Sequence, residues 1–130
     1  QSGEDVVVPP AAIGQMVAKL NDLARRHDVR IPVFGHAGDG NLHARVVMNP
    51  DWTVDRWEKT LPDILEELYA LTGQLGGRIS GEHGIGHKRK AYLSRVVSPE
   101  YIDMLRAVKH ALDPNLVLNP GKIFDIEPTA

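Results

Sequence analysis

Four of the chain's six histidines lie in two glycine-rich stretches. GHAGDGNLH, Gly35 to His43, sets His36 and His43 around a Gly-Asp-Gly-Asn core, and GEHGIGHK, Gly81 to Lys88, follows Glu82 with His83. Imidazole and carboxylate together are the ligands of a divalent ion such as zinc. An Asp39-Gly40 pair between two apolar runs signals a two-residue hairpin turn. Such a turn pairs Gly38 with Asn41, Ala37 with Leu42, and His36 with His43. Directly opposed side chains share a face, with Cβ atoms about 4.5–5.5 Å apart, so both imidazoles can reach one ion. Arg45, two residues beyond His43, falls on the same face.

Two histidines are too few for a stable divalent site. Glu82 makes the set His36, His43 and Glu82, which leaves a position open as a catalytic ion requires. In an extended segment neighbours point to opposite sides, so His83 is expected to stay off the ion and to serve as a proton acceptor. The plainer alternatives are solvated histidines near a turn and a surface carboxylate at Glu82. His87 reads as solvated. His27 and His110 lie near helix ends, where a cation suits the dipole. Lys88 and Arg89 at a helix start would suit a nearby anion, a weak pointer to an acidic substrate or a cofactor phosphate.

The elements that must position these groups follow from periodicity. Val6-Val7-Val8 marks a strand over Glu4 to Pro9. Ile13, Met16, Val17, Leu20 and Leu23 mark a helix from Ala11 to His27. Ile31 to His36 and Leu42 to Met48 read as strands. Trp57, Leu61, Ile64, Leu68, Leu71 and Leu75 form a helical stripe. Pro62 is awkward within it, so the compact helix is expected to start at Thr60, with Pro62 in its first turn. Gly76-Gly77 ends it. Arg78 to Ser80 is a candidate fourth strand. Ser98-Pro99-Glu100 caps a third helix running to about Leu112, and a loop tail follows.

The expected fold is therefore α+β: a ferredoxin-like βαββαβ antiparallel sheet with helices on one face, plus a C-terminal helix and tail, as one domain over 1–130. In that topology the third and fourth strands run parallel. His43 enters the third and Glu82 leaves the fourth, which puts them at opposite ends of the sheet. They can meet only if the fourth strand is very short or the glycine-rich segment folds back.

Composition narrows the function. A net charge of −2 and few aromatic residues argue against nucleic acid. There is no cysteine, so any metal takes His and carboxylate ligands. No apolar run approaches the roughly 20 residues of a membrane helix. No G-x-G-x-x-G follows a strand, so nothing reads as a dinucleotide fold. QSGED at the start, without Met and without leader character, points to a piece of a longer protein or to a processed start.

GHAGDGNLH, SGEHGIGHKR and the late NPGKIF occur in this order. Together they resemble the C-terminal part of FAD-linked oxidases of the vanillyl-alcohol-oxidase superfamily, in the glycolate oxidase, D-lactate dehydrogenase and D-2-hydroxyglutarate dehydrogenase group. The resemblance runs from the EDVVVP strand to NPGKIF. It implies oxidation of a small D-2-hydroxy acid with FAD. It implies a divalent ion, zinc or manganese, on His36, His43 and Glu82, with His83 as general base and Asn119 near the flavin. It also implies an FAD-binding domain and the first half of a substrate domain outside this chain, and a downstream electron acceptor. On that reading the chain alone binds little FAD and does not turn over. The expected location is cytoplasmic, with contact to a membrane only through the acceptor. Arg45 stands where hydroxyglutarate-type members tend to have Asn, which leaves the substrate open. It reads as a carboxylate anchor or, equally, as half of a cross-strand ion pair. The rivals are a ferredoxin-like metal- or ligand-binding module without catalysis, and a metal hydrolase in which His83 activates water.

Overall fold

A computed structural model describes residues 1–125 and divides into two compact units, Gln1–Gly84 and the segment from Ile85 onward. The first unit is built on three strands, β1 (Ser2–Val7), β2 (Val33–His36) and β3 (Asn41–Val46), in the order β1-β3-β2, all antiparallel. Two helices interleave with them, α1 (Ile13–Arg26) and α2 (Val54–Gln74), and pack on each other. The predicted fourth strand survives as a single antiparallel bridge between Arg78 and Val7, on the free edge of β1. The result is the ferredoxin-like strand order with its last strand cut to one residue.

Register decides which side chains share a face. Val6 pairs with Leu42, Glu4 with Ala44 and Ser2 with Val46. These six are buried, and with Met16, Leu20 and Leu23 of α1 and Ile64, Leu65, Leu68 and Tyr69 of α2 they fill the core. Glu4 is tolerated there because Ser2 Oγ donates to one carboxylate oxygen and Tyr69 O–H to the other. The opposite face carries Gly3, Asp5 and Val7 of β1, Phe34 and His36 of β2, and Asn41, His43 and Arg45 of β3.

Element boundaries differ from the sequence reading, most of all at α2. α2 begins at Val54, not at Thr60; Thr53 Oγ1 accepts from Arg56 N–H at 3.2 Å and caps it. Pro62 therefore lies well inside the helix. It is exposed there, as is Glu58, whose carbonyl it leaves without an amide donor. A 3-10 turn over Pro10–Ala12 leads into α1. At the far end of α1 His27 Nε2 meets Glu67 Oε1 at 2.6 Å, and Arg26 pairs with the same carboxylate. The second unit holds a 3-10 stretch over Lys90–Arg95 and the helix α3 (Pro99–Leu112). Ser98 caps α3 by accepting from Tyr101 N–H, and a loop then runs on to Asp125.

Candidate functional site

The hairpin turn is wider than its sequence suggests. Ala37 to Gly40 form a four-residue loop, closed by Asp39 N–H donating to the His36 carbonyl at 3.0 Å. Gly40 has φ +75°, and a Cβ there would sit 1.9 Å from the Val8 carbonyl oxygen, so the loop's last residue must be glycine. His36 consequently opposes Asn41, and His43 opposes Phe34. The direct pairing of His36 with His43 is thus replaced by a diagonal one. A shift of two residues keeps both on one face, whereas a shift of one would have separated them. Their rings lie 5.7 Å apart, edge to face.

Asp5 sits directly across from His43 on the other side of β3. It is 1% exposed. Its Oδ2 accepts four hydrogen bonds, from Ser80 Oγ and from the N–H groups of Gly81, Glu82 and His83, at 2.8–3.0 Å. Asn41 Nδ2 donates to its Oδ1 at 2.6 Å. Burial pushes this carboxyl up, but the donors from His83, Asn41, Glu82 and Ser80 outweigh it and hold the group well below the usual carboxylate range. Three consecutive backbone N–H groups turned on one oxygen form an anion nest, with a side chain as the anion.

The nest removes the topological obstacle. After the Arg78 bridge the chain does not continue along β1 as a strand; it wraps around Asp5 and carries Glu82 back to the start of β3. Gly81 permits the wrap. A Cβ at that position would lie 2.0 Å from Asn41 Nδ2 and 2.9 Å from Asp5 Oδ1. The wrap also overturns the expectation that Glu82 and His83 point apart, because the segment is not extended. Glu82 Oε1 lies 3.2 Å from His43 Nε2, 3.8 Å from His36 Nε2 and 3.6 Å from His83 Nε2. Three imidazoles and one carboxylate oxygen share a small volume, with the His43 and His83 rings 5.6 Å apart.

Among the described residues two donor sets could hold a cation: His36, His43 and Glu82, or Asp5, His43 and His83, each with atoms within 4.8 Å of one another. Donors around a tetrahedral ion with bonds of ~2.0–2.2 Å sit roughly 3.3–3.6 Å apart. The 3.2 and 3.8 Å distances from Glu82 Oε1 to the imidazoles of His43 and His36 bracket that spacing. Asp5 is already engaged by five donors, so the first set fits a divalent ion better. Its residues are open to solvent at His36 and Glu82 and largely covered at His43.

Arg45 is exposed on the same face, and its cross-strand neighbour is Gly3, not an acid. Among the described residues it makes no ion pair; its guanidinium lies 5.9 Å from the Phe34 ring. Phe34 is 55% exposed and packs its ring 5.2 Å from that of His43. Asn119 belongs to the second unit, at φ +47° in the exposed loop after α3. His87 is exposed in a turn of that unit.

Comparison with known proteins fixes the family. Residues 3–123 match the family described as FAD linked oxidases, C-terminal domain. This chain belongs to that family. The domain is 43% identical over 124 residues to glycolate oxidase subunit GlcD of Bacillus subtilis, covering 93% of this chain and 25% of that protein. It is 41% identical over 119 residues to a D-lactate dehydrogenase of Anaerostipes hadrus, covering 92% and 25%. It is 44% identical over 117 residues to a D-2-hydroxyglutarate dehydrogenase of Xanthomonas citri pv. viticola, covering 89% and 24%. The domain thus spans about a quarter of the length of these relatives. No helix among its described residues is long and apolar enough to cross a membrane.

Asp5 and Asn41 were missed by the sequence reading. One signal was there: an acid directly before a β-branched run in the same strand, where Asp is disfavoured unless something holds it. The nest has a consequence for stability. Because the folded carboxyl titrates below its ordinary value near 3.8, its contribution is present above that value and is lost as pH falls toward the folded value. Urea unfolding between pH 3 and pH 7 should show Asp5→Asn less stable at pH 7 and with a flatter acid limb than wild type. Parallel acid limbs would mean that the nest contributes nothing to acid sensitivity.

Proposed function

We propose that this domain is the substrate-handling part of an FAD-dependent D-2-hydroxy-acid dehydrogenase or oxidase of glycolate or D-lactate type. The observation that carries the reading is the convergence of His36, His43 and His83 on one oxygen of Glu82. His36, His43 and Glu82 would hold a divalent ion, zinc or manganese. When bound, that ion supplies Lewis acidity at the substrate oxygens, and FAD, held mainly by a domain outside this chain, supplies the hydride acceptor.

The chain's own residues then divide the remaining work. His83 Nε2 is placed beside the ligand set and takes the proton of the substrate hydroxyl. Arg45 anchors a substrate carboxylate through its two-pronged guanidinium; having no acid partner among the described residues, it is available for this. Phe34 backs both His43 and Arg45 and limits the room beside them. Asn119 would contact the flavin. The product is the 2-oxo acid, and the electrons pass to an acceptor downstream. The isolated domain is expected to be inactive.

The test is dye reduction by the FAD-containing holoprotein. D-lactate or glycolate should reduce the dye, chelator treatment should abolish the activity, and added zinc or manganese should restore it. A holoprotein that binds metal and FAD but oxidises no D-2-hydroxy acid would leave a binding module as the better account.

A further inference from the structure

The donors around Asp5 point to a role that its burial alone does not require. We propose that Asp5 is the positioning residue of the histidine cluster: its Oδ2 sets the backbone of 80–83 that carries Glu82 and His83, while its Oδ1 faces the Nδ1 edge of His43. The inference rests on the metal reading above and adds to it a residue that does not touch the ion.

The geometry is specific. Five donors converge on one carboxylate, and four of them come from the segment that presents Glu82 and His83. Both residues hang directly from N–H groups bound to Oδ2, so a displacement of that oxygen displaces both side chains. On the other side, Oδ1 lies 3.9 Å from His43 Nδ1, too long for a hydrogen bond, and stands behind the ring. Glu82 Oε1 lies 3.2 Å from the Nε2 of the same ring. The His43 imidazole is thus flanked by a carboxylate at each nitrogen, one buried and fixed, the other at the solvent edge. Groups behind a ligating histidine orient its ring and raise its basicity, and their loss usually lowers metal affinity 10- to 100-fold.

A merely structural role would reduce stability without touching affinity in the molecules that remain folded. The experiment is calorimetric titration of the metal-free chain with zinc, on samples shown by circular dichroism to be folded. The variants are Asp5→Asn, Ser80→Ala, which removes one donor from Oδ2, and Val6→Ala, which weakens the core on the other face of β1. The expected result is a tenfold or greater loss of affinity in Asp5→Asn, a smaller loss in Ser80→Ala, and none in Val6→Ala. Zinc binding within twofold of wild type in folded Asp5→Asn and Ser80→Ala would overturn the proposal. If Asp5→Asn does not fold, Ser80→Ala against Val6→Ala decides. If wild type binds no zinc, the metal reading falls separately. Amide exchange of Gly81, Glu82 and His83 then decides: protection in wild type that is lost in Ser80→Ala or Asp5→Asn, with β3 still protected, supports positioning, and unchanged protection overturns it.

Discussion

In the FAD-containing holoprotein, His83→Ala is expected to lower kcat for a D-2-hydroxy acid about 10²- to 10⁴-fold, the usual contribution of a positioned general base. His83 Nε2 lies 3.6 Å from Glu82 Oε1, while the other two imidazoles and Glu82 remain to hold the ion. Metal affinity should therefore change little, and KM less than kcat, because the interaction lost is one made as the hydroxyl proton departs. His83→Gln should not rescue, since an amide cannot accept the proton. Steady-state kinetics, with metal content measured in parallel, checks this. Full turnover in His83→Ala would remove the base from the mechanism. Lost turnover together with lost metal would instead place His83 among the ligands.

Gly81→Ala should cost both stability and the position of Glu82. Its Cβ would fall 2.0 Å from Asn41 Nδ2 and 2.9 Å from Asp5 Oδ1, and both groups are buried and already bonded to each other. Neither can retreat without breaking that bond, so the loop must lift. Lifting breaks several hydrogen bonds to a charged, buried acceptor, each worth roughly 1.5–3 kcal/mol and not additive. A destabilisation of about 2–4 kcal/mol is expected from urea unfolding, with metal affinity lost as Glu82 moves away. Gly38→Ala is the control. A Cβ there meets nothing within 4 Å, and the change should stay within about 0.5 kcal/mol. Equal effects of the two substitutions would mean that the loop adapts freely around Asp5.

The sequence made some of this legible and hid the rest for physical reasons. Helical stripes and caps are local, so α1 and α3 were readable almost to their ends; Ser98 and Pro99 mark the start of α3 where periodicity alone would leave it open. The start of α2 was misplaced because Pro62 argues locally against a helix interior, while its exposure lets the helix run through it. The Asp39-Gly40 pair gave the hairpin but not its register. A two-residue turn and a four-residue loop both end in glycine at position 40, so that glycine does not tell them apart; the ladder does, with His36 opposite Asn41. His36 and His43 kept a common face because the error was even.

The grouping of His36, His43 and Glu82 was drawn from residue types, whereas the means of bringing Glu82 to the histidines was not visible. It depends on Asp5, 76 to 78 residues distant along the chain from the N–H groups it binds. No periodicity encodes such a pairing. The same wrap explains why His83, expected to point away from Glu82, lies beside it instead.

The central claim is that His36, His43 and Glu82 hold one divalent ion. Calorimetric titration of the metal-free chain with zinc tests it most directly, using His43→Ala, Glu82→Gln and the remote His87→Ala. The claim predicts one ion per chain, binding abolished by the first two substitutions and unaltered by the third. Undiminished one-to-one binding in both His43→Ala and Glu82→Gln would contradict it.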